Sequence, residues 1–157
     1  MSSKDKSTIT FRWHNLYEMG RVAEACARLW RPPTVVLFEG DLGVGKTSLI
    51  QAVLPMWGVP GRVKSPTFDL VHMYEASSIT VYHADLYRIN QADELDALDL
   101  PEPRPHEILL VEWGAWIRDW YRERWDALLA MESDGLRVLR LQAHGTEPLQ
   151  RVAEWEA

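Results

Sequence analysis

The segment "FEGDLGVGKTSL", from Phe38 to Leu49, constrains the fold more than any other part of the chain. It overlaps the end of "TVVLFEG", a β-branched and apolar run that starts at Thr34 and is typical of a strand buried on both faces of a mostly parallel sheet. After the glycines, apolar residues recur at helical spacing in "TSLIQAVLPMWG", until Pro55 and Gly58 end the pattern. A strand, a glycine loop and a helix in that order predict a loop that binds phosphate groups.

The loop has the pattern G-x-x-x-x-G-K-[ST], which Gly40, Gly45, Lys46 and Thr47 supply. Glycines permit positive φ angles and let backbone N–H groups close around phosphate oxygens. In such a P-loop the lysine bridges the β- and γ-phosphates and the hydroxyl binds Mg²⁺. The chain has no [NT]-K-x-D element of the kind that reads guanine, so we expect ATP and Mg²⁺ as ligands.

The rest of the chain predicts strands and helices in alternation. Apolar spacing predicts a helix over "NLYEMGRVAEACARLW" and a short acidic helix in "QADELDALDLPEP". We expect two strands joined by a turn at "EASS", a buried strand from Ile108 to Val111 and a late strand from Leu136. The segment "AWIRDWYRERWDALLAM" has partly helical spacing.

Together these elements predict the fold class. We expect one α/β P-loop NTPase domain over residues 1–157, with residues 1–8 as a disordered tail. Its central sheet should be mostly parallel and flanked by helices, with antiparallel late strands.

Composition limits the possible partners. No apolar stretch approaches the roughly 18 residues of a membrane span, and the single cysteine, Cys26, is expected to be an ordinary helix residue in a cytoplasmic protein. The formal net charge is -6, whereas a chain that binds phosphate backbones unaided usually has a basic face. We therefore expect contact with nucleic acid, if there is any, to occur through a partner.

A P-loop protein also needs a second carboxylate near Mg²⁺, at the end of another buried strand. Glu112, which ends the apolar run of "HEILLVEW", is the best-placed candidate. Asp85 in "YHADLYR" is the other. The alternative for each is a solvated acid at the end of a strand.

Four segments in this order and at these distances resemble one family: "GDLGVGKTS", "VKSPTF", "HADLYR" and "LLVEW". The chain resembles the TsaE (YjeE) family from about Ile9 to about Gly145. Proteins of that family are small bacterial ATPases that work with TsaD and TsaB in making the N6-threonylcarbamoyladenosine (t6A) of tRNA. The resemblance implies TsaD- and TsaB-like partners, tRNA contact only through their complex, and no membrane.

The resemblance also implies roles for particular residues. It makes Lys46, Asp85 and Glu112 catalytic, with Asp85 acting through water or metal, and it makes Thr47, Glu112 and Asp85 candidates for the metal site. Thr67 lies in the segment that matches the family's "SPTF", a switch-like loop near the γ-phosphate. The expected contacts to the nucleotide are Gly40, Asp41, Leu42, Gly43, Val44, Gly45, Lys46, Thr47, Ser48, Thr67 and Trp113.

The chain departs from the family pattern at two places. The family tryptophan is usually followed by proline and an acid, but Trp113 is followed here by Gly114 and Ala115. The polar residue often found near the adenine has no clear match, since the corresponding place lies near Trp13 to Leu16.

Two other functions fit part of the sequence. A small-molecule kinase would carry a mobile lid rich in arginine, and "IRDWYRERW" contains Arg118, Arg122 and Arg124. The third possibility is a binding module that responds to ATP with negligible hydrolysis. The leading expectation remains a slow ATPase that its partners stimulate.

Overall fold

A computed structural model describes residues 6–60 and 71–156 of the chain. A seven-stranded sheet forms the centre of this described part, in the order β1-β7-β6-β2-β5-β4-β3. Its strands are β1 Thr8–Trp13, β2 Thr34–Glu39, β3 Val71–Glu75, β4 Thr80–Asp85, β5 Glu107–Glu112, β6 Arg124–Met131 and β7 Arg137–His144. The four central strands β6, β2, β5 and β4 are parallel, while β1, β7 and β3 pair antiparallel with their neighbours. The predicted mostly parallel sheet with antiparallel late strands is thereby confirmed.

Four α-helices and two 3-10 helices accompany the sheet in the described residues. The α-helices are α1 Leu16–Leu29, α2 Lys46–Val53, α3 Ala92–Asp96 and α4 Thr146–Glu156, and the 3-10 helices are Leu54–Trp57 and Gly114–Trp120. Asn15 caps α1, because its side chain accepts a hydrogen bond from the backbone N–H of Glu18 at 2.9 Å. Cys26 is buried inside α1, as expected of an ordinary helix residue, and burial raises the pKa of its thiol. No helix within the described ranges is long and apolar enough to span a membrane.

The central strands are buried on both faces. Val36 and Phe38 of β2 pack into the cluster that contains most of the buried residues of α1 and α2. Val35 and Leu37 of the same strand pack on the opposite face with a second cluster, which includes Ile117 of the 3-10 helix. Alternate residues therefore serve opposite cores, which explains the continuous apolar sequence of β2.

The segment "AWIRDWYRERWDALLAM", predicted to be helical in part, contains a helix and a strand. A 3-10 helix spans Gly114–Trp120, but Arg124–Met131 forms strand β6. Trp125, Ala127 and Leu129 alternate toward the core, and β6 pairs with both β2 and β7. This stretch contains good helix formers, but it forms a strand because it pairs with β2 on one side and β7 on the other.

Two elements had no counterpart in the sequence-based prediction. Strand β1 begins at Thr8, the last residue of the expected tail, and pairs with β7 through six residues. Helix α4 follows β7 and holds the loop after α1, because its buried Arg151 donates to the carbonyls of Leu29 (3.2 Å) and Arg31 (2.7 Å).

The fold leads to one prediction about packing at Gly114. A Cβ added there would lie 2.9 Å from the Cβ of the buried Leu37, so we expect Gly114→Ala to lower the free energy of unfolding by about 1–3 kcal/mol. Gly20, inside α1, is the control, since nothing lies within 4 Å of its added Cβ and Gly20→Ala should raise stability by about 0.5–1 kcal/mol. Urea unfolding of both variants measures the difference, and equal stabilities would contradict the packing at Gly114.

Candidate functional site

The glycine loop joins the carboxyl end of β2 to the start of α2. Its three glycines have positive φ angles, which are 151° at Gly40, 80° at Gly43 and 112° at Gly45. At Gly40 there is also no room for a side chain, because an added Cβ would collide with the backbone carbonyl oxygen of Leu129. Gly45 is the N-cap of α2 and offers no side-chain cap, so the first N–H groups of the helix keep their capacity to bind an anion.

Lys46 is the first residue of α2 and is buried. Its ammonium group donates hydrogen bonds to the backbone carbonyls of Gly40 and Asp41, the latter at 3.1 Å. Its Nζ also lies 4.1 Å from the ring centroid of Trp113. Burial lowers the pKa of Lys46, while neighbouring carboxylates, Glu112 first among them, oppose that shift.

Glu112 ends β5 and is only 2% exposed, and both of its carboxylate oxygens have partners. Thr47 Oγ1 donates to Oε1 at 2.7 Å, and Oε2 lies 2.7 Å from Nε2 of the fully buried His83. The buried contact with His83 therefore restrains the second oxygen of the carboxylate. The carboxylate is thereby fixed beside the hydroxyl of the loop.

Asp85 ends β4 and is the residue paired with Glu112 across the sheet. One of its carboxylate oxygens, Oδ1, accepts a hydrogen bond from the backbone N–H of Tyr87 at 3.0 Å. Burial raises the pKa of Asp85, the bond from Tyr87 opposes this, and the negative charge of Glu112 adds to the increase. An acid with a raised pKa at this edge of the sheet is suited to proton chemistry.

Trp113 is held in a left-handed backbone conformation, with φ 60° and ψ 44°. It is the one non-glycine residue with positive φ among the described residues, and such strain often accompanies a functional site. Its backbone N–H donates to the carbonyl of Phe38 at 2.9 Å, and its ring lies 5.1 Å from the ring of Tyr87. The carboxylate of Glu39 fixes the next turn by accepting from the N–H of Ala115.

These residues surround a cavity of about 260 Å³, which we call the carboxylate cavity. It is lined by Leu42, Gly43, Gly45, Lys46, Thr47, Ser48, Asp85, Tyr87, Glu112 and Trp113. A second cavity of about 210 Å³ lies on the other side of the loop, and we call it the β1–α1 cavity. It is lined by Trp13, His14, Asn15, Leu16, Met19, Val44, Gly45, Ser48 and Arg137. Gly45 and Ser48 border both cavities.

The structure brings most of the predicted site residues together in the carboxylate cavity. Gly40 and Asp41 support the loop through their carbonyls instead, and Val44 lines the β1–α1 cavity. Thr67 and the rest of the segment 65–68 lie outside the described residues. Of the three arginines considered as a lid, Arg124 lies on β6, where it binds Asp126 at 3.0 Å.

Sequence reasoning missed Arg137 and did not identify the β1–α1 cavity. Arg137 Nε donates to the carbonyl of Val44 at 2.8 Å, across 93 residues of sequence. No local motif signals such a contact, because only the pairing of β7 with β1 and β6 brings Arg137 to the loop. The alternating residues of β1 were the available signal for the cavity wall.

Comparison with known proteins identifies the family and the fold of this chain. The family model described as "Threonylcarbamoyl adenosine biosynthesis protein TsaE" matches residues 13–138, which is most of the chain. The structure of YdiB from Bacillus subtilis superposes with a TM-score of 0.70 at 23% identity and covers 96% of this chain and 97% of its own. That likeness concerns the fold.

Individual relatives carry the same family name. A protein of Bacillus subtilis named "tRNA threonylcarbamoyladenosine biosynthesis protein TsaE" is 31% identical over 139 residues, which cover 87% of both chains. A protein of the same name from Rickettsia conorii is 35% identical over 102 residues, which cover 64% of this chain and 58% of the relative. The chain thus matches less than two thirds of the Rickettsia protein's length. The family model and the Bacillus relative both span most of the chain, and the chain belongs to the TsaE family.

Proposed function

We propose that this protein binds ATP with Mg²⁺ and hydrolyses it in support of a TsaD/TsaB-type complex that makes t6A in tRNA. One observation carries the biochemical part of this proposal: Lys46, Thr47, Asp85 and Glu112 line a single cavity at the mouth of the glycine loop. The family membership supports the biological part.

The glycine loop and the first turn of α2 supply the phosphate site. Backbone N–H groups at the start of α2 carry partial positive charge, and Lys46 adds a full one. The carbonyls of Gly40 and Asp41 now hold the ammonium group in the loop, close to where a phosphate would bind. We propose that bound phosphate oxygens become partners of Lys46.

Thr47 and Glu112 suit Mg²⁺. Their hydroxyl and carboxylate oxygens are 2.7 Å apart, and oxygen ligands are those that Mg²⁺ prefers. In the described part of the chain no cluster of three or more His, Cys, Asp and Glu side chains could hold a metal. Phosphate oxygens are therefore proposed as the remaining partners, and Mg²⁺ supplies charge neutralisation when bound.

The two carboxylates have different roles in this proposal. Each oxygen of Glu112 has one hydrogen-bond partner, Thr47 or His83, so the carboxylate is held in place and keeps further lone pairs for Mg²⁺. Asp85 uses Oδ1 for the backbone of Tyr87 and has a second oxygen to offer a water molecule. We propose that Asp85 positions the attacking water, directly or through a second water, and accepts its hydrogen bond.

The β1–α1 cavity is proposed as the place of the base. It adjoins the glycine loop through Gly45 and Ser48, and the apolar side chains of Leu16 and Met19 offer surface for a flat ring. His14 and Asn15 provide polar groups at the same wall. Although no single family position matches the adenine contact, this wall includes the residues near Trp13 to Leu16.

The partners follow from family membership and charge. The relatives' names place those proteins in t6A biosynthesis, and the family resemblance supplies TsaD- and TsaB-like proteins as partners. With a net charge of -6, the chain would repel the phosphates of tRNA, so we propose that tRNA is held by the partners.

We expect Lys46→Ala to weaken binding of MgATP about tenfold or more, because it removes a charge-assisted contact of roughly 1.5–3 kcal/mol. Lys6→Ala, at an exposed position, is the matched control and should bind as the wild type does. Isothermal titration calorimetry measures both affinities. Equal binding by the two variants would refute the phosphate site.

We expect Asp85→Asn to keep most of its ATP affinity and to lose turnover by about 100-fold or more, since it removes a proton acceptor. Glu112→Gln should also spare binding more than turnover. Asp119→Asn, which changes an exposed acid of the Gly114–Trp120 helix, is the control. Phosphate release at saturating MgATP measures turnover, and a wild-type rate in Asp85→Asn rules out the role given to Asp85.

Partner dependence separates this function from its alternatives. We expect ATP to be preferred over GTP, and phosphate release by the chain to rise when TsaB- and TsaD-type proteins are added. A pull-down of those proteins with and without ATP tests the complex directly. Phosphoryl transfer that requires a small metabolite would identify a kinase instead, and ATP binding without release in any condition would identify a binding module.

A further inference from the structure

Arg137 is a cation beside the glycine loop that belongs to none of the motifs of the site. It is the first residue of β7, where it pairs with Trp13 of β1 and Met131 of β6. Its Nε donates to the backbone carbonyl of Val44 at 2.8 Å. Nη1 contacts Met131 Sδ and lies 3.5 Å from the carbonyl of Gly135, so the guanidinium is also held by its own hairpin.

The geometry of a peptide bond gives this contact a consequence inside the loop. The Val44–Gly45 bond is trans, so the carbonyl of Val44 and the N–H of Gly45 point in opposite directions. Because the carbonyl of Val44 points toward Arg137 and accepts its hydrogen bond, the N–H of Gly45 points away from Arg137. Gly45 lines both cavities, but Arg137 lines only the β1–α1 cavity, whereas Lys46 and Thr47 line only the carboxylate cavity. The direction away from Arg137 is therefore that of the carboxylate cavity.

The orientation of the Val44–Gly45 peptide bond needs a restraint from outside the loop. Gly45 has a φ of 112°, and glycine changes its backbone conformation at low cost. A reversed peptide would turn the carbonyl of Val44 toward the phosphates, where its partial negative charge would repel them. Within the loop, the N–H of Val44 donates to the carbonyl of Asp41 at 3.1 Å, which fixes the preceding peptide but not this one.

We propose that Arg137 is a positioning residue for the glycine loop: its hydrogen bond to Val44 holds the N–H of Gly45 toward the triphosphate site. The hydrogen bond, more than the positive charge, carries the effect. The inference rests on the proposed binding of a triphosphate. It gives β7, an antiparallel strand, a role in that binding.

Two substitutions separate the hydrogen bond from the charge. Arg137→Gln removes the charge but keeps an N–H donor at the same number of bonds from Cα as Nε, whereas Arg137→Met removes both. Arg140→Met, which removes an exposed charge from the same strand, is the control. Thermal unfolding of each variant checks that it is folded.

The probes are MgATP and inorganic tripolyphosphate with Mg²⁺, which has the phosphates but no base. We expect Arg137→Met to weaken both by the same factor, about tenfold, which is the size expected for one charge-assisted hydrogen bond. Arg137→Gln should recover most of this loss, and Arg140→Met should bind as the wild type does. Equal losses in the Gln and Met variants, or a loss for MgATP alone, would overturn the inference in favour of a charge effect or a contact to the base.

Hydrogen exchange in the free protein tests the inference without any nucleotide. We expect the amides of residues 43–47 to exchange faster in Arg137→Met than in the wild type, and Arg137→Gln to restore their protection. Unchanged exchange in Arg137→Met would overturn the role of Arg137 even if ATP binds. If the wild type binds neither probe, the proposed function fails, while the exchange experiment still decides whether Arg137 orders the loop.

Discussion

The parallel pairing of β2, β5 and β4 is the constraint on which the site depends. In register, Phe38 lies opposite Glu112, and Glu112 lies opposite Asp85, so three strands end at the same edge of the sheet. The glycine loop begins at that edge and returns the chain into α2, which puts Thr47 within hydrogen-bond distance of Glu112. A change of register by one residue would turn the side chain of either acid to the opposite face of the sheet.

Lys46 is surrounded by carboxylates. The carboxylates of Glu39, Asp41, Asp85 and Glu112 all raise the pKa of this lysine, against the effect of burial. Among the described residues that affect Lys46, the four acids outnumber its single positive charge. The proposed triphosphate would add further negative charge, which supports the proposal that it binds together with a divalent cation. The buried bond from His83 to Glu112 fixes the orientation of one of these acids.

Several parts of the fold could be predicted from local sequence because they depend on residue spacing, burial and glycine content within one segment. The apolar runs of β2 and β5, the glycine pattern of the loop and the spacing of α1 each indicated the structure that forms. Strand β6 could not be predicted in this way, since "RWDALLAM" contains helix formers and its state depends on β2 and β7 as neighbours. Strand β1 has an alternating sequence, but its place at the edge of the sheet depends on its pairing with β7.

The sequence by itself determined the family and the P-loop pattern: a glycine loop with Lys46 and Thr47, followed by the carboxylates Asp85 and Glu112 in a fixed order. It could do so because backbone flexibility at glycine and the charges of these side chains are properties of the residues themselves. The tertiary structure decided which groups meet. The contact of His83 with Glu112 and that of Arg137 with Val44 join distant strands, and only the order of strands in the sheet brings such residues within hydrogen-bond distance.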